Sequence, residues 1–200
     1  MNASSIPPRR RPDGTEPMLA HGSVYLRPAE RDDLPRFVQW LSDARTSRTL
    51  ALVSPLSQAH EERWFDQLLE QQGRDRWHFV ICLLADDRAL GAIELFDYDP
   101  RNGSAGLGIV IGTPDDTGHG HGSDALRALL DFGFGELRLE RIWLDVYDDN
   151  ERARRIYQRV GFLHEGTLRH AVYRAGAYHD VHRMAILRDD RSSAAGPSTD

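Results

Sequence analysis

From Leu107 to Leu126 the chain runs through an apolar segment, a loop in which every second residue is glycine (Thr117-Gly118-His119-Gly120-His121-Gly122), and then a helical pattern. No other stretch constrains the fold as tightly. Without Cβ atoms, Gly118, Gly120 and Gly122 let the backbone curl and bring its N–H groups close to a ligand. The following helix turns its N-terminus toward the same space, where unpaired N–H groups and the helix dipole favour an anion, most naturally a phosphate. Read alone, the segment is either a diphosphate cradle or a plain glycine turn between strand and helix.

The rest of the composition narrows the class. Two hundred residues suit one α/β domain with tails. Residues 1–22 contain four prolines and the run Arg9-Arg10-Arg11, and are expected to form a disordered tail, as are residues 190–200. That leaves 23–189 as the folded domain. A net charge of −6 argues against nucleic acid as a partner and suits a cationic substrate or a merely solvated surface. Cys82 is the only cysteine, so no intrachain disulfide can form. There is no apolar run of membrane-spanning length and no apolar leader, so no membrane partner and a cytoplasmic location are expected.

Taken in order, Val24–Pro28 reads as a strand ending at proline, and Leu34, Phe37, Val38 and Leu41 as one apolar helical face. After a loop around Val53-Ser54-Pro55, Ser57 or a neighbour can cap a second helix with Trp64, Phe65, Leu68 and Leu69 as its buried stripe. Trp77–Ala85 and Ala89–Tyr98 form a hairpin, and Ala105–Ile111 is the strand that enters the glycine loop. Beyond the loop, Leu126, Leu129, Leu130, Phe134 and Leu137 mark a helical face, and Arg141–Tyr147 alternates as a strand. Asn150 can cap a short helix with Ala153, Ile156, Tyr157 and Val160 inside and Gly161 at its end. Phe162–Leu168 and His179–Leu187 close the sheet, joined by the run Tyr173–Tyr178.

Taken together, the glycine loop, the segment LDVYDDNERARRIYQRVGF and the segment EGTLRHAVYRAGAYHDVHRMAIL resemble the GCN5-related N-acetyltransferases, and within that superfamily the RimJ/RimL-like branch and its small-amine relatives. The likeness spans roughly residues 23–188. It implies an α/β (α+β) fold with a mixed, mostly antiparallel sheet splayed between two central strands, Ala105–Ile111 and Arg141–Tyr147. It also implies acetyl-CoA as co-substrate. The pantetheine would pair with Val110, Ile111 and Gly112, and the diphosphate would lie on Thr117, Gly118, His119, Gly120, His121 and Gly122. Asn150 would hydrogen-bond the pantetheine arm, and Tyr157 would protonate the leaving thiolate. Two departures stand out: Thr117 replaces the usual Gln or Arg at the loop's start, and Gly106 replaces a frequent strand glutamate.

Acetyl transfer needs a neutral amine and therefore a base, or a water chain to one. Asp145 is the first candidate, five residues before Asn150, against the plainer reading of a strand carboxylate paired with an arginine. Glu94 is the second. For Tyr157, core packing is the plain alternative. His119 with His121 and His179 with His182 match no zinc-ligand spacing, so no metal is expected. A P-loop would need lysine before Ser123, and a dinucleotide fingerprint would need glycine at 123. An acyl-CoA-binding sensor without catalysis is the competing class. The acceptor is an amine, either a small molecule or a protein N-terminus, with Asp97, Asp99, Asp148 and Asp149 as a slight sign of a cationic one; the assembly is a monomer or homodimer.

Overall fold

The computed structural model describes residues 10–50, 52 and 54–194. Residues 1–9 and 195–200 of the expected tails, and Val53 of the expected loop, lie outside them. Strand β1 (Leu19–His21) opens the chain, followed by β2 (Val24–Pro28), helix α1 (Leu34–Ser42), the short α2 (Ala44–Ser47) and α3 (Gln58–Gln71). Then come β3 (Trp77–Leu83), β4 (Ala89–Asp99), β5 (Ser104–Ile111), α4 (His121–Gly135), β6 (Arg141–Tyr147), α5 (Glu151–Val160), β7 (Leu163–Arg174), β8 (Ala177–Leu187) and α6 (Arg188–Ala194). All eight strands form one sheet in the order β1-β2-β3-β4-β5-β6-β8-β7.

Helices cover both faces. Trp77, Phe79 and Ile81 of β3 pack into the core under α4, while Val80 and Cys82 face the cluster built by α1 and α3. A strand buried on both faces reads as a continuous apolar run, as Trp77–Leu83 does.

The feature that matters for function is a gap. β5 pairs with β6 in parallel only from Ser104–Arg141 to Gly106–Trp143. Beyond that, β5 stays with β4 as far as Ile111–Gly91, and β6 stays with β8 as far as Tyr147–Val181, so the two strands diverge.

Several expectations are corrected. The strand Leu19–His21 falls in the stretch expected to be tail, where its pairing with β2 satisfies its backbone, and α6 runs past the expected boundary at 190. In α1 it is Trp40, rather than Val38 or Leu41, that is fully buried with Leu34 and Phe37. In α3 the buried stripe is Glu61, Phe65 and Leu68, while Leu69 is exposed. The run Tyr173–Tyr178 is itself a hairpin end: Tyr173 pairs with Tyr178 and Arg174 with Ala177. Ala175 and Gly176 both take positive φ (+48° and +85°), the conformation a two-residue turn between twisted strands requires.

Candidate active site

The divergence of β5 and β6 opens a cleft of about 700 Å³, walled by Leu107–Ile111 on one side, Trp143 and Asp145–Tyr147 on the other, and α5 at the end. Because β5 beyond Gly106 has a strand partner on one side only, alternate N–H and C=O groups face the cleft unpaired. Of the residues expected to hold the pantetheine and diphosphate, Val110, Ile111, Thr117, Gly122 and Asn150 line it. Gly112 does not. Its N–H donates to the Leu90 carbonyl at 2.8 Å and its carbonyl accepts from Thr46 Oγ1 at 3.0 Å. A Cβ there would fall 2.2 Å from the Trp40 ring, so this glycine serves the packing of α1 on the sheet.

Gly118 and Gly120 adopt φ of +93° and +90°, and Gly120 caps α4 without any side-chain cap. Among the described residues nothing accepts from the N–H groups of His121, Gly122 and Ser123; the first paired one is Asp124, bonded to the Gly120 carbonyl. Three unpaired donors at a helix start, beside a loop with no side chains in the way, fit a diphosphate. The histidines turn elsewhere: His121 Nδ1 lies 2.9 Å from Ser23 Oγ, and His119 stacks on His121 at 5.8 Å. Thr117 spends its hydroxyl on the Pro114 carbonyl, at 2.5 Å. The cation the loop lacks comes instead from α5. Arg152 lines the cleft, has no ion pair among the described residues, and sits with Nη2 3.4 Å from where a Gly118 Cβ would be. Sequence reasoning missed it. Its position two residues past the Asn150 cap, on the turn facing the loop, was the available signal.

Tyr157 lines the inner cleft, edge-on to Phe162 at 5.9 Å. Its hydroxyl has no hydrogen-bond partner among the described residues, and burial pushes its pKa up to about 12. Asp145 also reaches the cleft wall, but Arg183 grips its carboxylate with bonds of 2.6 and 2.8 Å while lying 4.1 Å over the Trp143 ring.

Glu94 sits differently. On β4 it faces Gly108, whose missing side chain leaves room for it; a Cβ there would touch the Glu94 carboxylate stem at 3.4 Å. Its Oε2 lies 3.3 Å from both His78 Nδ1 and Arg76 Nη1. Burial pushes the carboxyl up, but the His78 hydrogen bond and the charges of His78 and Arg76 outweigh this and leave it below the ordinary glutamate value. The missing glutamate at position 106 has a steric explanation. A Cβ on Gly106 would lie 2.5 Å from the Phe96 ring, which fills that place and stacks edge-on against Trp143.

On the other side of Glu94 lies a second, mostly apolar cavity of about 420 Å³, walled by α1, α3, β3 and β4. Leu50, Glu94 and Gly108–Val110 border both cavities, so the two meet there. Asp97, Asp99, Asp148 and Asp149 line neither. Asp99 accepts from the Arg101 and Asn102 N–H groups, Asp148 faces His179, and Asp149 pairs with Arg174. The carboxylates that do face the second cavity are Glu94 and Glu61, and Glu61 escaped notice as an ordinary polar helix residue. Its spacing of four before Phe65 and seven before Leu68 put it on the buried stripe. Among the described residues no group of three or more His, Cys, Asp or Glu is placed to hold a metal, and no helix is long and apolar enough to cross a membrane.

A strand splay with unpaired backbone donors, an anion cradle at its mouth and a carboxylate between it and a second cavity together define an acyltransferase of the CoA-dependent kind. The acetyltransferase (GNAT) domain family matches residues 23–163, and the chain belongs to that family. It is 32% identical over 167 residues to spermidine N(1)-acetyltransferase of Escherichia coli K12, covering 83% of this chain and 87% of the relative. It is 30% identical over 168 residues to an SPbeta prophage-derived N-acetyltransferase of Bacillus subtilis, covering 84% and 92%. The spermidine N-acetyltransferase of Vibrio cholerae, solved in complex with CoA and spermine, superposes with a TM-score of 0.78 at 27% identity, over 84% of this chain and 97% of that one. The protein is an N-acetyltransferase with acetyl-CoA as co-substrate.

Proposed function

We propose that this enzyme acetylates a small primary amine by direct attack in a ternary complex. One observation carries the reading: the two cavities meet at Glu94 and the Gly108–Val110 strand, so the two substrates can be held at once on either side of one carboxylate. A second, mostly apolar cavity of about 420 Å³ suits a small molecule, and relatives named for spermidine point the same way. Placement in the RimJ/RimL-like branch rests on the sequence segments alone.

Val110, Ile111 and Asn150 hold the pantetheine, and the α4 start with Arg152 holds the diphosphate. The thioester supplies the activated acetyl group. Glu94, engaged among the described residues by His78 and Arg76 through Oε2 alone, takes a proton from the ammonium so that the neutral amine attacks, in preference to Asp145, both of whose oxygens are engaged by Arg183. Tyr157 keeps a proton at the inner end of the cleft for the departing thiolate, because burial holds its hydroxyl un-ionised throughout the physiological range. An unpaired β5 N–H polarises the carbonyl.

Initial rates of thiol release at varied amine and acetyl-CoA test the order of events. Intersecting double-reciprocal lines are expected; parallel lines, the signature of a covalent acyl-enzyme, would overturn direct attack. Tyr157→Phe is expected to lower turnover by about tenfold or more while acetyl-CoA affinity holds, and an unchanged turnover removes Tyr157 from the chemistry. The monomer or homodimer expected from the sequence stands against a dodecamer for the Vibrio cholerae relative, and sedimentation of the purified protein decides between them.

A further inference from the structure

We infer that the cavity beside Glu94 selects an amine with a compact apolar body, aryl or branched, and a single hydrogen-bond donor at its far end for Glu61, rather than an extended polyamine. This rests on the reading that the cavity receives the acceptor, and it deepens that reading.

The lining carries the inference. Phe37 and Trp64 pack edge-on at 6.1 Å, and both rings stand edge-on to His78, at 5.9 and 5.0 Å, so this wall is one rigid aromatic block. Trp40 extends it, and leucines complete the lining. Such a wall favours apolar surface, whose removal from water is itself favourable. It offers little to a chain with an ammonium every few carbons, since each buried cation needs its own partner.

Two carboxylates serve the cavity, and they are not equivalent. Glu94 borders the cofactor cleft as well and is satisfied by His78 and Arg76, which suits the reacting end of the amine. Glu61 borders the apolar cavity alone. It is 5% exposed, yet no donor among the described residues hydrogen-bonds its carboxylate. Burial pushes its pKa up, only partly countered by the charges of His60 and His78. His78 is also buried, and its Nε2 has no partner. A carboxylate that faces the cavity without a protein donor is free to accept from a ligand hydroxyl or ammonium. One such acceptor, set away from the cofactor, reads one donor.

The test is a comparison of tyramine, 2-phenylethylamine and spermidine by thiol release with the full-length protein and acetyl-CoA. Tyramine is expected to exceed phenylethylamine in kcat/KM by about tenfold, the effect of one hydrogen bond to a charged group. Both are expected to exceed spermidine, also by about tenfold, for its unpaired buried cation. Glu61→Gln is expected to bring the tyramine-to-phenylethylamine ratio to about one, with a CoA-dependent thermal shift showing that the variant is folded. Should it not fold, Trp64→Ala on the half-buried side of the wall takes its place, and is expected to depress both aryl amines relative to spermidine. Spermidine outrunning both aryl amines in the parent overturns the inference and leaves the acetyltransferase reading standing. So does an unchanged tyramine ratio in folded Glu61→Gln. If none of the three amines releases thiol, the small-amine reading itself fails, and calorimetry of the same amines on the CoA-loaded protein decides the inference: tyramine binding tighter than spermidine supports it and the reverse overturns it.

Discussion

The cleft proposed for the cofactor and the cavity proposed for the acceptor lie on either side of Glu94, yet they are built by different means. The cleft is made largely of backbone: a strand edge left unpaired by the splay, a loop of positive-φ glycines and the open start of α4. The cavity is made of side chains brought from α1, α3, β3 and β4, elements separated by long stretches of chain. Backbone donors recognise what every substrate pair has in common, the CoA end. Side chains recognise what differs between amines, and can change without disturbing the fold. The difference teaches where to expect constancy and where specificity within one site.

Four substitutions test that division. The largest effect is expected at the boundary itself. Glu94→Gln should lower kcat/KM for the amine by about a hundredfold or more, as loss of a general base does, while CoA titration shows little change in binding. Asp145→Asn should cost far less, because its carboxylate is committed to Arg183. If Asp145→Asn proves the costlier, the base lies on the cofactor side and the boundary role passes to β6.

A smaller effect is expected within the cleft. Arg152→Ala should raise the KM for acetyl-CoA by about tenfold and flatten its dependence on salt, with kcat for saturating substrates close to the parent, because a charge-assisted contact to phosphate is lost while the backbone cradle stays. An unaltered KM would mean that the backbone supplies the whole of diphosphate recognition.

The smallest effect concerns what holds the cavity wall. Arg27 of β2 donates two bonds of 2.7 Å to Asp33, whose carboxylate also accepts from the Glu30 N–H at 2.9 Å, at the entrance to α1. Burial pushes Asp33 up, and Arg27 with the Glu30 N–H pull it further down, to below the ordinary aspartate value. A carboxyl depressed on folding contributes stability above its unfolded value, about 3.9, and loses that contribution as pH falls through the lower folded value. Asp33→Asn is therefore expected to destabilise by roughly 1–3 kcal/mol at neutral pH, and the gap from the parent should narrow as the pH falls below the unfolded value of about 3.9. Chemical denaturation across that range is the measurement. A gap that does not narrow on acidification would mean that packing, not charge, holds α1 in place.

Much of the cleft was legible beforehand because its determinants are contiguous. Gly118 and Gly120 sit in one loop, Asn150 and Tyr157 in one short helix, and period-two patterning placed Arg141–Tyr147 at its observed ends. What escaped were residues whose partners are distant in sequence. Thr117 stood as the loss of a long polar side chain beside the diphosphate, and Arg152, which lines the same cleft, comes from a different helix. For Asp145, pairing with an arginine was one of the two readings, but nothing local said which arginine, and Arg183 lies thirty-eight residues away on β8. Gly106 looked like a lost carboxylate and is instead the space for Phe96.

By itself, then, the sequence determined the order of helices and strands, through glycines that accept positive φ, a cap and an alternating strand, and it pointed to the family, the splayed mixed sheet and acetyl-CoA through the resemblance carried by the glycine loop and the two downstream segments. Only the tertiary structure decided which carboxylate stands between the two cavities and that Glu61 waits unpaired in the second. Strand pairing, through the register that sets Glu94 beside His78 and opposite Gly108, and the docking of α1 and α3 on the sheet bring those side chains together, and neither can be read from one segment alone.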